Sequence, residues 1–323
     1  MKQLNVLVVG GSGFIGRHLV AALAARGARV TVPTRSRERA KHLILLPTVE
    51  VVEWDPRNTR ALAALAQGRD AVVNLAGILN GGGSAPGEQG PNQYGPAFAQ
   101  AHVEVAQGLV GACRAAGVRR LLHVSAIGAD PAAPSEYLRS KGIGEQAVLA
   151  ADDLEATVFR PSVVFGPEDR FLNLFAKLTA VLPVIGLASP EARFQPVYVG
   201  DAVRAMLAAL ESRDAGGKCY ELGGPQECTL REIVEFVCAV TGRRRLVVGI
   251  PDGVAWLQAW ILEKLPGALL TRDNLRSMEI PSVTDQPFPF GIVPVAMAAA
   301  APAWLAPSGP RERYPQLRWR ARR

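Results

Sequence analysis

The chain predicts an α/β fold, a doubly wound parallel sheet followed by a smaller C-terminal lobe. Three observations carry this. Short apolar runs rich in valine alternate with segments of helical period over the first two thirds of the 323 residues. Strands buried on both faces read as such continuous runs, and helices between them make parallel crossovers. The first run, residues 6–9, meets a glycine-rich turn and then an amphipathic segment with Ile15, Leu19 and Leu23 on one side. Beyond Pro161 the alternation becomes irregular, as a second lobe would require.

Strands are expected near 6–9, 30–32, 49–54, 71–75, 121–125 and 156–160, and helices over 15–26, 37–46, 59–67, 97–116 and 137–151. Residues 197–201 lead into a helix over 202–211, and 218–222 reads as a strand rejoining the sheet. Thr229 and Glu232 have the spacing of a capping box at the start of a helix over 229–241. The expected organisation is a nucleotide domain over 1–165, joined by 196–223. A substrate or partner lobe then comprises 166–195 and 224–323. Residues 79–95 are rich in Gly, Pro, Ser and Gln and read as a long mobile loop, of the length used for lids or partner contacts.

The glycines carry the first chemistry. Gly10, Gly13 and Gly16 fit G-x-x-G-x-x-G, and Gly11, Gly13 and Gly16 fit G-x-G-x-x-G. A strand–turn–helix of this composition is the Rossmann-type signature: the turn needs backbone angles that glycine adopts without strain, and a pyrophosphate must approach main-chain N–H groups with no Cβ between. The N-terminus of the following helix then favours the phosphates. Gly10, Gly13, Phe14, Ile15 and Gly16 are the expected phosphate-binding residues.

The second strand selects the nucleotide. Sites for NAD place an Asp or Glu about 20 residues past the turn to hold the ribose 2′-OH. No acid stands between Ala28 and Arg37, which instead bracket Thr34, Arg35 and Ser36. A guanidinium fork matches a 2′-phosphate, so NADP(H) is expected over NAD(H), with Arg35 and Ser36 as ligands. At the ends of the third and fourth strands, Asp55 is placed to accept from an adenine amino group. Asn74, Ala76 and Gly77 form a small-residue turn that lets backbone approach the cofactor.

Tyr137 and Lys141 lie four apart on one helical face. An ammonium beside a phenol favours the phenolate, so Lys141 is expected to lower the Tyr137 pKa toward general acid/base work and to hold the nicotinamide ribose.

Gly10–Gly16, Asn74-Leu-Ala-Gly, Tyr137-x-x-x-Lys141, Arg160-Pro-Ser-Val-Val-Phe-Gly-Pro167 and Val197-Tyr-Val-Gly-Asp201 together resemble the extended and atypical short-chain dehydrogenase/reductases. The resemblance implies Tyr137 as proton donor or acceptor, Lys141 as its partner and Ser125 as the hydroxyl that polarises substrate, and it places Pro161 beside the cofactor. The superfamily's hydroxyl usually lies one or two residues farther along, where this chain has Ala126 and Ile127. Tyr137–Gly142, Arg160–Phe175 and the segment 266–274 further resemble the family of the 39-kDa accessory subunit of respiratory complex I and its bacterial relatives. That likeness implies a tightly held NADPH and a structural, redox-sensing or quinone-linked role. The alternative is an active NADP-dependent reductase, or a nucleotide-sugar epimerase or dehydratase, using Tyr137 and Lys141.

Composition narrows the partners. Half the residues are apolar and a fifth charged, with a net charge of +7. Residues 311–323 hold six arginines with Tyr314 and Trp319. No nucleic-acid-binding motif accompanies them, so the expected partner is an acidic protein or membrane surface rather than nucleic acid. The four cysteines form no C-x-x-C pair and read as reduced thiols, and the four histidines lack ligand spacing, so no metal is expected. Met1-Lys-Gln-Leu runs directly into the first strand, which suggests the cytoplasm, with a peripheral place at the inner face of the membrane. Residues 253–270 are apolar around Trp256 and Trp260 but broken by Glu263, Lys264 and Pro266. They are too short to span a bilayer and read as a core helix or an interfacial contact.

Overall fold

Alternation along the first strand sets the layers. A computed structural model of the protein describes residues 3–81, 93–264 and 270–306. In β1 (Asn5–Val9) Val6 and Val8 join one hydrophobic cluster, and Leu7 and Val9 join another. Residues two apart share a sheet face, so both faces of this strand are buried and both need covering helices. Six further strands extend it: β2 (Arg29–Thr34), β3 (Val49–Glu53), β4 (Ala71–Asn74), β5 (Arg120–Val124), β6 (Glu155–Pro161) and β7 (Lys218–Leu222). Their order is β7-β6-β5-β4-β1-β2-β3, and every pairing is parallel.

On one face α1 (Phe14–Ala25) buries Leu19, Val20 and Leu23. Helix α6 (Val199–Glu211) covers the same face with Val203, Met206 and Leu210. On the other lie α2 (Ala61–Ala66), α3 (Val105–Ala116) and α4 (Glu136–Leu149). Strand order reverses between β1 and β4, and the crevice at that switch point is where such sheets bind ligand.

Two helical expectations are corrected. Arg37–Leu43 is a 3₁₀ helix; its buried residues, Ala40 and Leu43, stand three apart and suit three residues per turn. The helix expected over 97–116 carries a π-helical stretch, Ala99–Glu104, ahead of α3. Its buried residues are His102 and Val103.

The smaller lobe follows β6. Helix α5 (Leu172–Val181), the parallel strand pair Val184–Leu187 and Leu246–Gly249, and α7 (Leu230–Val240) pack around Phe165, Leu172, Ile185, Ile233 and Val237. The Thr229 capping box is formed in full. Helices α8 (Asp252–Leu262) and α9 (Arg272–Ser277) complete it. Among the described residues no helix is long and apolar enough to cross a membrane, and all four cysteines are unpaired. The arginine-rich stretch 311–323 and most of the loop expected over 79–95 lie outside the described residues.

Candidate nucleotide-binding and catalytic site

At the glycine turn, Gly10 has φ +81°, and a Cβ there would stand 2.6 Å from the Leu75 carbonyl carbon. A Cβ at Gly16 would meet the Gly10 oxygen at 2.3 Å. Turn, β4 loop and α1 are therefore in backbone contact, and a side chain at either glycine would push them apart. Gly13 caps α1 in an extended conformation, with no acid in the first turn. The N–H groups of Phe14, Ile15 and Gly16 begin the helix and have no intrahelical acceptor, which leaves a cradle for an anion.

Beyond β2, Arg35 is exposed and lines an open cleft of about 420 Å³ with Glu53, Trp54 and Asp55. Next to it, the Thr34 hydroxyl donates to the Ser36 carbonyl. Asp55 lies in a tight turn, its Oδ1 accepting the Arg57 N–H at 3.0 Å. Glu53 was not expected in this cleft. Pairing with Thr34 brings it there, and the signal was its position at the carboxyl end of β3.

The β4 loop is held from within. Asn74, 1% exposed, accepts the Ala76 N–H through Oδ1 at 3.0 Å, and its Nδ2 donates to His123 Nδ1 at 3.0 Å. Its side chain is thus engaged within the loop and shapes the turn. A Cβ at Gly77 would lie 3.1 Å from Lys141 Nζ.

His102, which spacing alone did not single out, links this loop to α4. Its Nε2 accepts the Ile78 N–H at 3.1 Å. Its Nδ1 lies 2.8 Å from the Ser140 Oγ, and that hydroxyl donates to the Tyr137 carbonyl. With Ser140 already donating, Nδ1 carries the proton. Burial, aided by the Lys141 ammonium, pushes His102 down to about 2 and His123 to about 3. Both rings are neutral at ordinary pH.

Helix α4 presents the expected pair. Ser135 caps it by accepting the Leu138 N–H. A second cap comes from the other lobe: Asp273 of α9 accepts the Glu136 N–H at 2.7 Å and the Tyr137 N–H at 3.1 Å. Lys141 Nζ donates to the Val124 carbonyl at 3.0 Å; burial pushes its pKa down to about 8, against the opposing pull of Glu145. At Tyr137 the shift runs opposite to the expected lowering. Burial pushes its phenol up to about 12. The ring stands edge-on to His102 and Phe98, with centroids 5.6 and 6.4 Å away, in surroundings that disfavour a phenolate. The Ser125 Oγ is buried with no hydrogen-bond partner among the described residues, and the Pro161 carbonyl accepts the Ile127 N–H.

These residues suit a dinucleotide on structural grounds: a backbone cradle that a Cβ would fill, a buried ammonium beside Gly77, and an orphaned serine hydroxyl. Together with the seven-stranded sheet they define a short-chain dehydrogenase/reductase of the extended kind. Residues 6–223 match the NAD dependent epimerase/dehydratase family, and the chain belongs to it. It is 38% identical over 271 residues to NADH dehydrogenase [ubiquinone] 1 alpha subcomplex subunit 9, mitochondrial, of Arabidopsis thaliana, covering 80% of this chain and 64% of that one. The chain thus spans just under two thirds of the length of that relative. It is 34% identical to a ceramide reductase of Caulobacter vibrioides, covering 76% and 74%. DesIV, a dTDP-glucose 4,6-dehydratase of Streptomyces venezuelae solved with NAD and TYD, superposes with a TM-score of 0.65 at 25% identity, covering 77% and 86%.

Proposed function

We propose that this chain is an NADPH-preferring nucleotide-binding protein that holds its nucleotide for a structural or redox-sensing purpose. Its place is a quinone-linked assembly at the inner face of a membrane. The displaced hydroxyl carries the reading: where the superfamily's substrate-polarising hydroxyl usually lies this chain has Ala126 and Ile127, and the first turn of the helix that bears Tyr137 is clasped by Asp273. Arg35 supports the phosphorylated nucleotide, and the mitochondrial relatives, named as NADH dehydrogenase subunits, support the assembly. The decisive experiment follows release of bound NADPH by stopped-flow fluorescence against excess NADP+. Release over hours is expected. Release within seconds would make the nucleotide a co-substrate and overturn the structural role.

The orphaned Ser125 hydroxyl favours a second reading, an active NADP-dependent reductase or nucleotide-sugar epimerase or dehydratase. Tyr137 would donate or accept the proton, Lys141 would hold the ribose, and Ser125 would polarise a carbonyl oxygen. The names of the bacterial relatives, reductases among them, agree with it. On this reading, substrate-dependent NADPH oxidation disappears in Tyr137→Phe.

A further inference from the structure

Helix α8 is seated by its small residues and shows its large ones to solvent. Ala255 and Ala259 are buried in a cluster with Ala188 and Leu275. At about 100° per residue, the opposite arc carries Val254, Trp256, Leu257, Trp260 and Ile261, each between 37% and 56% exposed. A helix serving only the core of its own lobe turns its bulk inward and its polar residues out; α8 does the reverse.

Two cations stand over the indoles of that arc. Lys264, in the turn that follows α8, stands with its ammonium 4.7 Å over the Trp260 ring, and Arg276 of α9 stands 5.3 Å over Trp256. The two acids of the segment are peripheral to the indoles. Asp252 opens the helix at the edge of the arc, and Glu263 is held by Arg272 at 2.7 Å. The exposed ridge therefore offers aliphatic bulk, two indoles and two cations.

We propose that this arc of α8, with Lys264 and Arg276, is a docking face for an anionic lipid bilayer. It deepens the reading that the protein works at the membrane face. Tryptophan settles at the boundary between headgroups and acyl chains, and lysine and arginine beside it reach lipid phosphate. A helix lying flat on that boundary presents a ridge of this shape. The lobe thereby gains a fixed side toward the membrane.

The test is flotation of the full chain with protein-free vesicles of phosphatidylcholine containing one part in three phosphatidylglycerol, beside vesicles of phosphatidylcholine alone. The wild type is expected to float with the anionic vesicles. The Trp256→Ser/Trp260→Ser double variant is expected to partition at least about tenfold less while keeping the wild-type Tm, and Lys264→Glu to weaken binding to anionic vesicles only. Equal flotation of the double variant and wild type would overturn the proposal. Binding to native membranes but to neither vesicle would also overturn it, pointing to a protein partner and leaving the membrane-face reading intact. Binding to none of these would overturn both.

Discussion

Arg35 stands where β2 ends, at the mouth of a cleft that also holds Glu53 and Asp55. A guanidinium binds a 2′-phosphate through charge-assisted hydrogen bonds, and an exposed one supplies about a tenfold preference. Arg35→Ala should therefore weaken NADPH binding by about tenfold and leave NADH unchanged, as read by fluorescence titration of both nucleotides. The buried histidines make a different prediction. His102 and His123 are held far below the ordinary value of 6.5, to about 2 and about 3. The unfolded chain takes up their protons below pH 6.5 while the folded chain refuses them, so stability is full above 6.5 and falls as pH drops toward 3. Urea unfolding between pH 7.5 and 4.5 should show this slope, and His123→Asn should make it shallower.

At the scale of elements, α4 is one helix on which the two lobes meet. Its first turn is capped locally by Ser135 and from α9 by Asp273. Asp273→Ala leaves the Glu136 and Tyr137 N–H groups without acceptors, at a cost of about 1–2 kcal/mol. Hydrogen exchange should speed up at those two amides, with the Thr229→Ala variant, which removes a cap on α7 instead, leaving them unchanged. The two caps differ in how far the sequence discloses them. Thr229 and Glu232 are three residues apart, and their spacing is itself the signal. Asp273 reaches a helix 136 residues earlier in the chain, and no local pattern announces that contact.

For the molecule as a whole, a ligand that binds the folded state alone stabilises it by mass action. NADPH at a hundred times its Kd adds about 2.7 kcal/mol. Protein stripped of nucleotide should accordingly melt at a lower temperature. On the proposed role of Arg35, NADPH should restore the Tm more than NADH at equal concentration. If the two nucleotides raised the Tm equally, the preference for NADPH would be lost while the glycine cradle stood.

Sequence by itself determined the sheet, the glycine turn and the face shared by Tyr137 and Lys141. These depend on local rules: a period of two in strands, a period of 3.6 in helices, and the conformational freedom of glycine at Gly10. Tertiary structure decided the rest. It made Asn74 a brace for the β4 loop and brought His102 between that loop and Ser140. It set Tyr137 edge-on to His102 and Phe98 and α8 with its tryptophans outward. Each of these follows from which distant residues exclude water from a given side chain. Burial shifts charge by several kcal/mol where a neighbour in the same helix shifts it by less, and no spacing along the chain records it.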